Sequence, residues 1–314
     1  MRVGILGAGF GLYGYLPALI SGCGARVMLP ERYRAHLQSR DDIRHFDAAV
    51  EWIVDEETLL ASADAIMVSR RPEDQVRWVS NSQAYPNIKR VLLEKPIAPT
   101  PEAAMQLLDS LHERGMIVRV GYTLRYPQWG QALLAWCAGL GKSPLNITWK
   151  FQAHHYRFGL SNWKRTAAAG GGALRFYGIQ LIALLAEMGY ESASESVVSA
   201  DRIDEAERWS AVFYAPTLPD CRVEIDTNSA TDIFSIRSLT PKRGDWQDVL
   251  LQDPFATDNA RSGIDRRVPV LTALCRELLH GDVCAPAWYR KSLDLWSEVE
   301  RVTRCVTLGK SGSV

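Results

Sequence analysis

Arg2-Val3-Gly4-Ile5-Leu6-Gly7-Ala8-Gly9-Phe10-Gly11-Leu12-Tyr13-Gly14 is the stretch on which the fold turns. Arg2 to Leu6 is a short apolar run that reads as a buried strand, and the run from Tyr15 to Ser21 reads as a helix. A strand, a glycine turn and a helix aim backbone N–H groups at a helix N-terminus, an arrangement suited to a pyrophosphate. Gly7 permits the tight turn. Gly9 permits close approach of a ligand, with Phe10 and Gly11 completing the loop. The third glycine of a G-x-G-x-x-G pattern falls on Leu12, with Gly11 and Gly14 on either side, so the match is imperfect. A glycine turn in an ordinary α/β domain is the plainer alternative. Its position directly after the first strand favours a dinucleotide.

Outward from this loop, Ala25 to Leu29 reads as a second strand. An acidic residue about 20 positions beyond the loop should accept from ribose hydroxyls in an NAD-binding domain. Glu31 stands there. Arg32 and Arg34 follow, and these suit either a 2′-phosphate or a solvated helix start. Glu31 tips the cofactor towards NAD, and the arginines keep NADP open. Asp64 to Ser69, Arg90 to Glu94 and Ile117 to Val120 read as further buried strands. Glu56 to Ser62, Glu73 to Asn81 and Pro101 to Gly115 read as the helices between them. This alternation predicts a parallel Rossmann sheet with right-handed crossovers.

The pattern changes after Gly121. Asn146 to Ala153, Trp209 to Tyr214, Arg222 to Asn228 and Ile233 to Ser238 look like half-exposed strands. They predict a large mixed, mainly antiparallel sheet with one face open to a partner. Gly170 to Met188 is glycine-rich and then helical, and Val268 to His280 and Trp288 to Val306 read as closing helices. The fold class is α/β, with residues 1–121 as a dinucleotide-binding domain and residues 122–314 as a substrate-binding and oligomerisation domain.

Composition narrows the function classes. Of 314 residues, 47% are hydrophobic and 23% charged, as in a soluble globular chain. Lys plus Arg and Asp plus Glu both number 36, so no net charge favours nucleic acid or an anionic membrane. The six cysteines are scattered without a C-x-x-C pair, which argues against a zinc site or a disulfide framework. Glycines interrupt the apolar N-terminal run, unlike a signal peptide. No stretch reads as the run of about 20 apolar residues a spanning helix needs. A cytoplasmic location with free thiols is expected.

Three further segments carry a resemblance. Glu94-Lys95-Pro96 follows one strand and Gly121-Tyr122-Thr123-Leu124-Arg125-Tyr126 follows the next. Gly170-Gly171-Gly172-Ala173-Leu174 leads into a helix. With the glycine loop, in this order, the chain resembles the glucose–fructose oxidoreductase and inositol dehydrogenase family (Gfo/Idh/MocA). The resemblance implies NAD or NADP at the glycine loop and a nicotinamide in a cleft between domains. It implies a carbohydrate-like small-molecule substrate, and a homodimer or homotetramer formed through the second sheet. Lys95 would meet the reacting oxygen of the substrate, where its charge stabilises an alkoxide or polarises a carbonyl. Glu94 and Pro96 would shape the same turn, and in the family the bond before Pro96 can be cis. Without the resemblance, Lys95 would read as a surface lysine at a strand end.

Departures from the family lie at the chemical end. Its Asp and His positions after the triple glycine fall on Phe176 and Gln180, and a later acidic position falls on Ala183. Alcohol oxidation needs a base for the hydroxyl proton, and a glutamine amide cannot serve. Tyr177, beside Phe176, is the candidate proton donor or acceptor. Tyr122, Arg125, Trp163 and Lys164 join Phe176 and Gln180 as candidate substrate contacts. After the strand ending at Ser69 the run is Arg70-Arg71-Pro72-Glu73-Asp74-Gln75, with Gln75 where the family has a His. Ser69, Arg70, Arg71 and Gln75 are candidate cofactor contacts. The arginines would otherwise pair with Glu73 and Asp74. His154, His155, Tyr156 and Arg157 rank below Lys95, because a lone histidine pair is more often structural. No metal site is expected. The expected function is an NAD(P)-dependent oxidoreductase, with a dinucleotide-binding sensor that has lost catalysis as the alternative.

Overall fold

The computed structural model describes residues 1–137, 143–200, 205–239, 244–251, 265–282 and 284–307. The chain forms two compact units. The first is built on six strands, β1 (Arg2–Leu6), β2 (Arg26–Pro30), β3 (Val50–Ile53), β4 (Ala65–Val68), β5 (Arg90–Leu93) and β6 (Ile117–Val120). All pairs are parallel, in the order β3-β2-β1-β4-β5-β6. This is the doubly wound order that the glycine loop and strand alternation predict. Every residue of β4 is buried, as expected of a parallel strand covered on both faces.

The helix after β1 starts earlier than Tyr15, at Phe10, and its first turns are wide. Val268–His280 joins this first unit. Its Leu271, Leu274, Cys275 and Leu278 recur at helical spacing and are fully buried with Val3, Ile5, Leu12, Leu16 and Leu19. The first unit is therefore assembled from three segments rather than from residues 1–121 alone. A helix stripe shows in sequence that it needs a hydrophobic partner, but not which one.

The second unit contains β7 (Leu145–Gln152), β8 (Ser192–Ala200), β9 (Arg208–Tyr214), β10 (Cys221–Asp226), β11 (Asn228–Leu239), β12 (Trp246–Leu251) and β13 (Arg304–Thr307). Its order is β12-β11-β7-β10-β9-β8-β13. The β7–β10 and β8–β13 pairs are parallel and the others antiparallel, so the expected mixed sheet is present. In β7 buried and partly exposed residues alternate, the period-2 signature of a sheet covered on one face. Charged pairs such as Lys150–Glu224, at 2.7 Å, occupy the opposite face.

Residues Ile179–Ala186 of the helix Ile179–Met188 are buried throughout. The stretch Ala167–Met188 is in fact long and apolar enough to cross a membrane, correcting the expectation that no stretch reaches that length. In its apolar window 72% is buried inside the protein, in line with the buried face of the helix Ile179–Met188. Among the described cysteines, Cys23, Cys221, Cys275, Cys284 and Cys305 are free thiols.

Candidate cofactor and substrate sites

The loop between β1 and the following helix is built around Gly7. Its φ of +131° disfavours any side chain, and a Cβ there would lie 2.1 Å from the Ser69 carbonyl oxygen. Ser69 in turn donates its amide to Leu6 O at 2.7 Å, locking the ends of β1 and β4 together. A Cβ on Gly9 would meet nothing within 4 Å, and Gly9 is exposed. The first amides of a helix have no intrahelical acceptor. The loop therefore presents an open backbone surface at a helix N-terminus, and it fits a dinucleotide phosphate. Leu12 contributes differently. It is fully buried in the core, and its amide donates to Gly9 O at 3.0 Å, so it supports the turn from beneath.

Charged side chains surround this loop. Glu31 is exposed and pairs with Arg34 at 2.5 Å, and Arg34 stacks on Trp52 at 4.7 Å. Arg32 and Arg70 converge instead on Glu56 Oε2, each at 2.5 Å. The two guanidiniums hold the Glu56 carboxyl below its ordinary range against the opposing effect of burial. Arg70 thus takes neither Glu73 nor Asp74, and Asp74 pairs with Arg77 at 2.8 Å. Arg71 is exposed at the start of the helix Pro72–Asn81. Tyr33 accepts from the Gly7 amide at 3.0 Å. Arg267 stacks on Phe10 at 4.4 Å and is held by Asp265 at 2.7 Å, with burial opposing and Asp265 raising its pKa. Neither Glu56 nor Arg267 stood out in sequence. Each lies far along the chain from the loop, and no local pattern marks them.

The turn after β5 is braced from within. The Lys95–Pro96 bond is cis. Gln75 is fully buried, donating to Glu94 O at 2.8 Å and Pro96 O at 3.0 Å and accepting from the Glu94 amide at 2.8 Å. Its side chain is thus engaged by the turn on both sides of Lys95. The Tyr15 hydroxyl donates to the Glu94 carboxylate. Burial raises the Glu94 pKa, opposed by the neighbouring Lys95 charge and the Tyr15 hydrogen bond. Tyr15 is raised well above its ordinary value by burial and by Glu94. Gly121 completes the arrangement, because a Cβ there would lie 2.8 Å from Glu94 Oε1. Of the residues that follow, Tyr122 is buried, and Arg125 pairs with Glu277 at 2.9 Å. The Tyr126 hydroxyl donates to the same carboxylate at 3.0 Å.

In the second unit the triple glycine packs against the Trp163–Lys164 backbone, where a Cβ on Gly171 would lie 2.3 Å from Trp163 O. The helical turn Ala173–Gly178 is wide and carries Phe176 and Tyr177. The Phe176 ring meets Trp163 edge-on at 5.3 Å, Tyr177 at 4.8 Å and the Lys164 ammonium at 5.3 Å. Tyr177 also meets Phe151 at 5.0 Å and Trp149 at 6.1 Å. Trp163, Lys164, Phe176 and Tyr177 therefore share one aromatic cluster with a cation beside it. Gln180 is 5% exposed and lies in the buried helix.

His155 borders this cluster, 6.3 Å from Tyr177. It is 2% exposed and its Nε2 lacks a hydrogen-bond partner. Burial, with the charges of Lys164 and Arg165, lowers its pKa to about 4, so it is neutral at physiological pH. Burial and the carboxylates of Glu207 and Glu205 push Tyr156 up to about 12. Among the described residues, no group of three His, Cys, Asp or Glu side chains is placed to hold a metal ion.

Residues 1–122 match the oxidoreductase family described as having an NAD-binding Rossmann fold, GFO_IDH_MocA. No curated protein matches the sequence. Among solved structures, KijD10, a 3-ketoreductase from Actinomadura kijaniata in complex with NADP and TDP-benzene, superposes with a TM-score of 0.69. The match has 17% identity, covering 98% of this chain and 99% of KijD10. GenD2 from gentamicin A biosynthesis, in complex with NAD, gives a TM-score of 0.70 at 16% identity, covering 96% and 93%. The WlbA dehydrogenase from Bordetella pertussis, in complex with NADH and UDP-GlcNAcA, gives 0.69 at 16% identity, covering 96% and 95%. At these identities the likeness establishes a common fold across both units.

Proposed function

We propose that this chain, whose residues 1–122 match the Gfo/Idh/MocA oxidoreductase model, is an NAD(P)-dependent oxidoreductase acting on a sugar nucleotide or related carbohydrate. The observation that carries the reading is the braced Glu94-Lys95-Pro96 turn. A buried glutamine fixes the backbone on both sides of Lys95, more support than a surface lysine at a strand end requires. The Gly9 to Gly11 amides would hold the dinucleotide phosphates. A nicotinamide bound there would supply or accept hydride. Lys95 Nζ donates to the substrate oxygen and stabilises the negative charge that develops there. Within the second unit, the Tyr177 hydroxyl is the group suited to exchange a proton, a task for which neither Phe176 nor the Gln180 amide is suited.

Carbonyl reduction suits these groups better than alcohol oxidation, since it needs an electrophile stabiliser and a proton donor rather than a strong base. The aromatic cluster of Trp163, Phe176 and Tyr177 with Lys164 provides ring faces and a cation, which suit a nucleotide base or sugar ring. Complexes of KijD10 with TDP-benzene and of WlbA with UDP-GlcNAcA support this substrate class. The open face of the second sheet would form the contact of a homodimer or homotetramer.

Lys95→Met is the test. With a panel of 3-keto and 3-hydroxy sugar nucleotides, the wild type should change nicotinamide absorbance and Lys95→Met should not. The variant should still bind dinucleotide by calorimetry, and normal turnover by it would remove Lys95 from the mechanism. The buried Gln180 and the apolar Phe176 favour a second reading, a dinucleotide-responsive regulator. Dinucleotide binding without hydride transfer to any of the panel would select it.

A further inference from the structure

The ion-pair network beside the glycine loop bears on which dinucleotide the loop takes, and so rests on the cofactor reading above. In Rossmann domains an acid after the second strand accepts from the 2′-hydroxyl of NAD, whereas an arginine there receives the 2′-phosphate of NADP. By position that acid is Glu31. In the structure, however, Glu31 turns to Arg34, which is also drawn to Asp47 and Trp52. Its side chain is 47% exposed. With Arg34 so engaged, the neighbouring guanidiniums of Arg32 after β2 and Arg70 after β4 both close on Glu56.

Glu56 is well fixed in place. It opens the helix Glu56–Ser62, whose preceding residue Asp55 accepts from the Thr58 amide at 2.7 Å. Its side chain is 22% exposed, compared with 24% for Arg70. Tyr33 lies under the Arg32 guanidinium at 5.2 Å and accepts from the Gly7 amide, tying this network to the glycine loop.

We infer that Glu56, rather than Glu31, is the residue that makes this chain select NAD over NADP. A 2′-phosphate seeking Arg32 and Arg70 would have to displace the carboxylate from both, or bind beside it against like-charge repulsion. Both choices weaken NADP. A ribose with a free 2′-hydroxyl carries no charge, leaves both ion pairs intact and can donate to a carboxylate. The two arginines therefore hold the selecting carboxylate in place and do not themselves read a phosphate.

The test is calorimetric titration of the full chain with NADH and with NADPH. The wild type should bind NADH at least tenfold more tightly. Glu56→Gln, which removes the charge and keeps the shape, should shift the NADPH-to-NADH affinity ratio at least tenfold towards NADPH. Glu31→Gln should move the ratio by less than threefold. Glu56→Asp withdraws the carboxylate by one methylene and should shift the ratio in the same direction by a smaller factor, which keeps the test usable if Glu56→Gln folds poorly. A wild-type preference for NADPH, or a ratio unchanged in Glu56→Gln and Glu56→Asp, overturns the inference while leaving dinucleotide binding intact. Failure of all these proteins to bind either dinucleotide overturns the cofactor reading itself, and the inference with it.

Discussion

Replacing Gln75 with leucine should cost more stability than any surface change, and the structure shows why. Gln75 is fully buried, and its amide nitrogen serves Glu94 O and Pro96 O while its oxygen accepts from the Glu94 amide. Leucine has similar volume, so little cavity forms. The Glu94 amide keeps a second acceptor, Val68 O at 3.1 Å. The two carbonyls lose the Gln75 donor. A buried acceptor stripped of its donor costs about 1–3 kcal/mol, so losing both should destabilise Gln75→Leu by roughly 2–6 kcal/mol. Gln75→His places on this site the residue type of the resembled family. One imidazole N–H can serve at most one of the two carbonyls, so about half the loss should return. Urea unfolding with an unchanged m-value gives the difference directly from the midpoint. Because these bonds flank Lys95, turnover should fall further than dinucleotide affinity. A Gln75→Leu protein within about 0.5 kcal/mol of the wild type, the range of ordinary surface changes, would refute the claim that Gln75 braces the turn.

Other outcomes follow from single sites. The His155 pKa falls from 6.5 in the unfolded chain to about 4 in the native one. Between those values the unfolded chain binds the proton and the native protein does not, so stability rises with pH. The contribution should be complete above pH 6.5 and fall by up to about 3 kcal/mol as pH drops to 4. Denaturant midpoints measured across that window should show the slope, and His155→Phe should flatten it. Gly7→Ala and Gly9→Ala should separate folding from binding. The first places a Cβ 2.1 Å from a backbone oxygen and should prevent stable folding, as judged by circular dichroism. The second has open space at its Cβ and should unfold near the wild-type midpoint. Its methyl group, at the point of closest ligand approach, should weaken dinucleotide binding by roughly tenfold, about 1.4 kcal/mol, by calorimetry.

The strands with dense apolar runs were legible from sequence to within a residue or two, and the glycine loop placed the parallel sheet around them. Glu56–Ser62, Ile117–Val120 and Val268–His280 have the predicted bounds. Among the described strands, Val50–Ile53, Ser192–Ala200, Trp246–Leu251 and Arg304–Thr307 were missed in sequence, the last falling largely within a stretch read as helix. Ser192–Ala200 is rich in serine, and Val50–Ile53 has only Val50 buried. Such strands are stabilised by ladder hydrogen bonds to neighbours rather than by their own hydrophobic pattern.

Within the candidate sites, the turn at Gly7, the Glu94-Lys95-Pro96 corner and the absence of titratable groups at Phe176 and Gln180 could be read from the residues alone. These are properties of short segments, where a missing Cβ, a proline or a side-chain type settles the matter. Tertiary structure decided the partners. It drew Glu31 to Arg34, closed Arg32 and Arg70 on Glu56, spent Gln75 on the turn around Lys95, and tied Arg125 to Glu277 from a distant helix. Charge pairing depends on a few ångströms of separation, and the pairing of Arg125 with Glu277 spans 152 positions of chain. Composition shows that such charges exist. Only the folded backbone shows which of them meet.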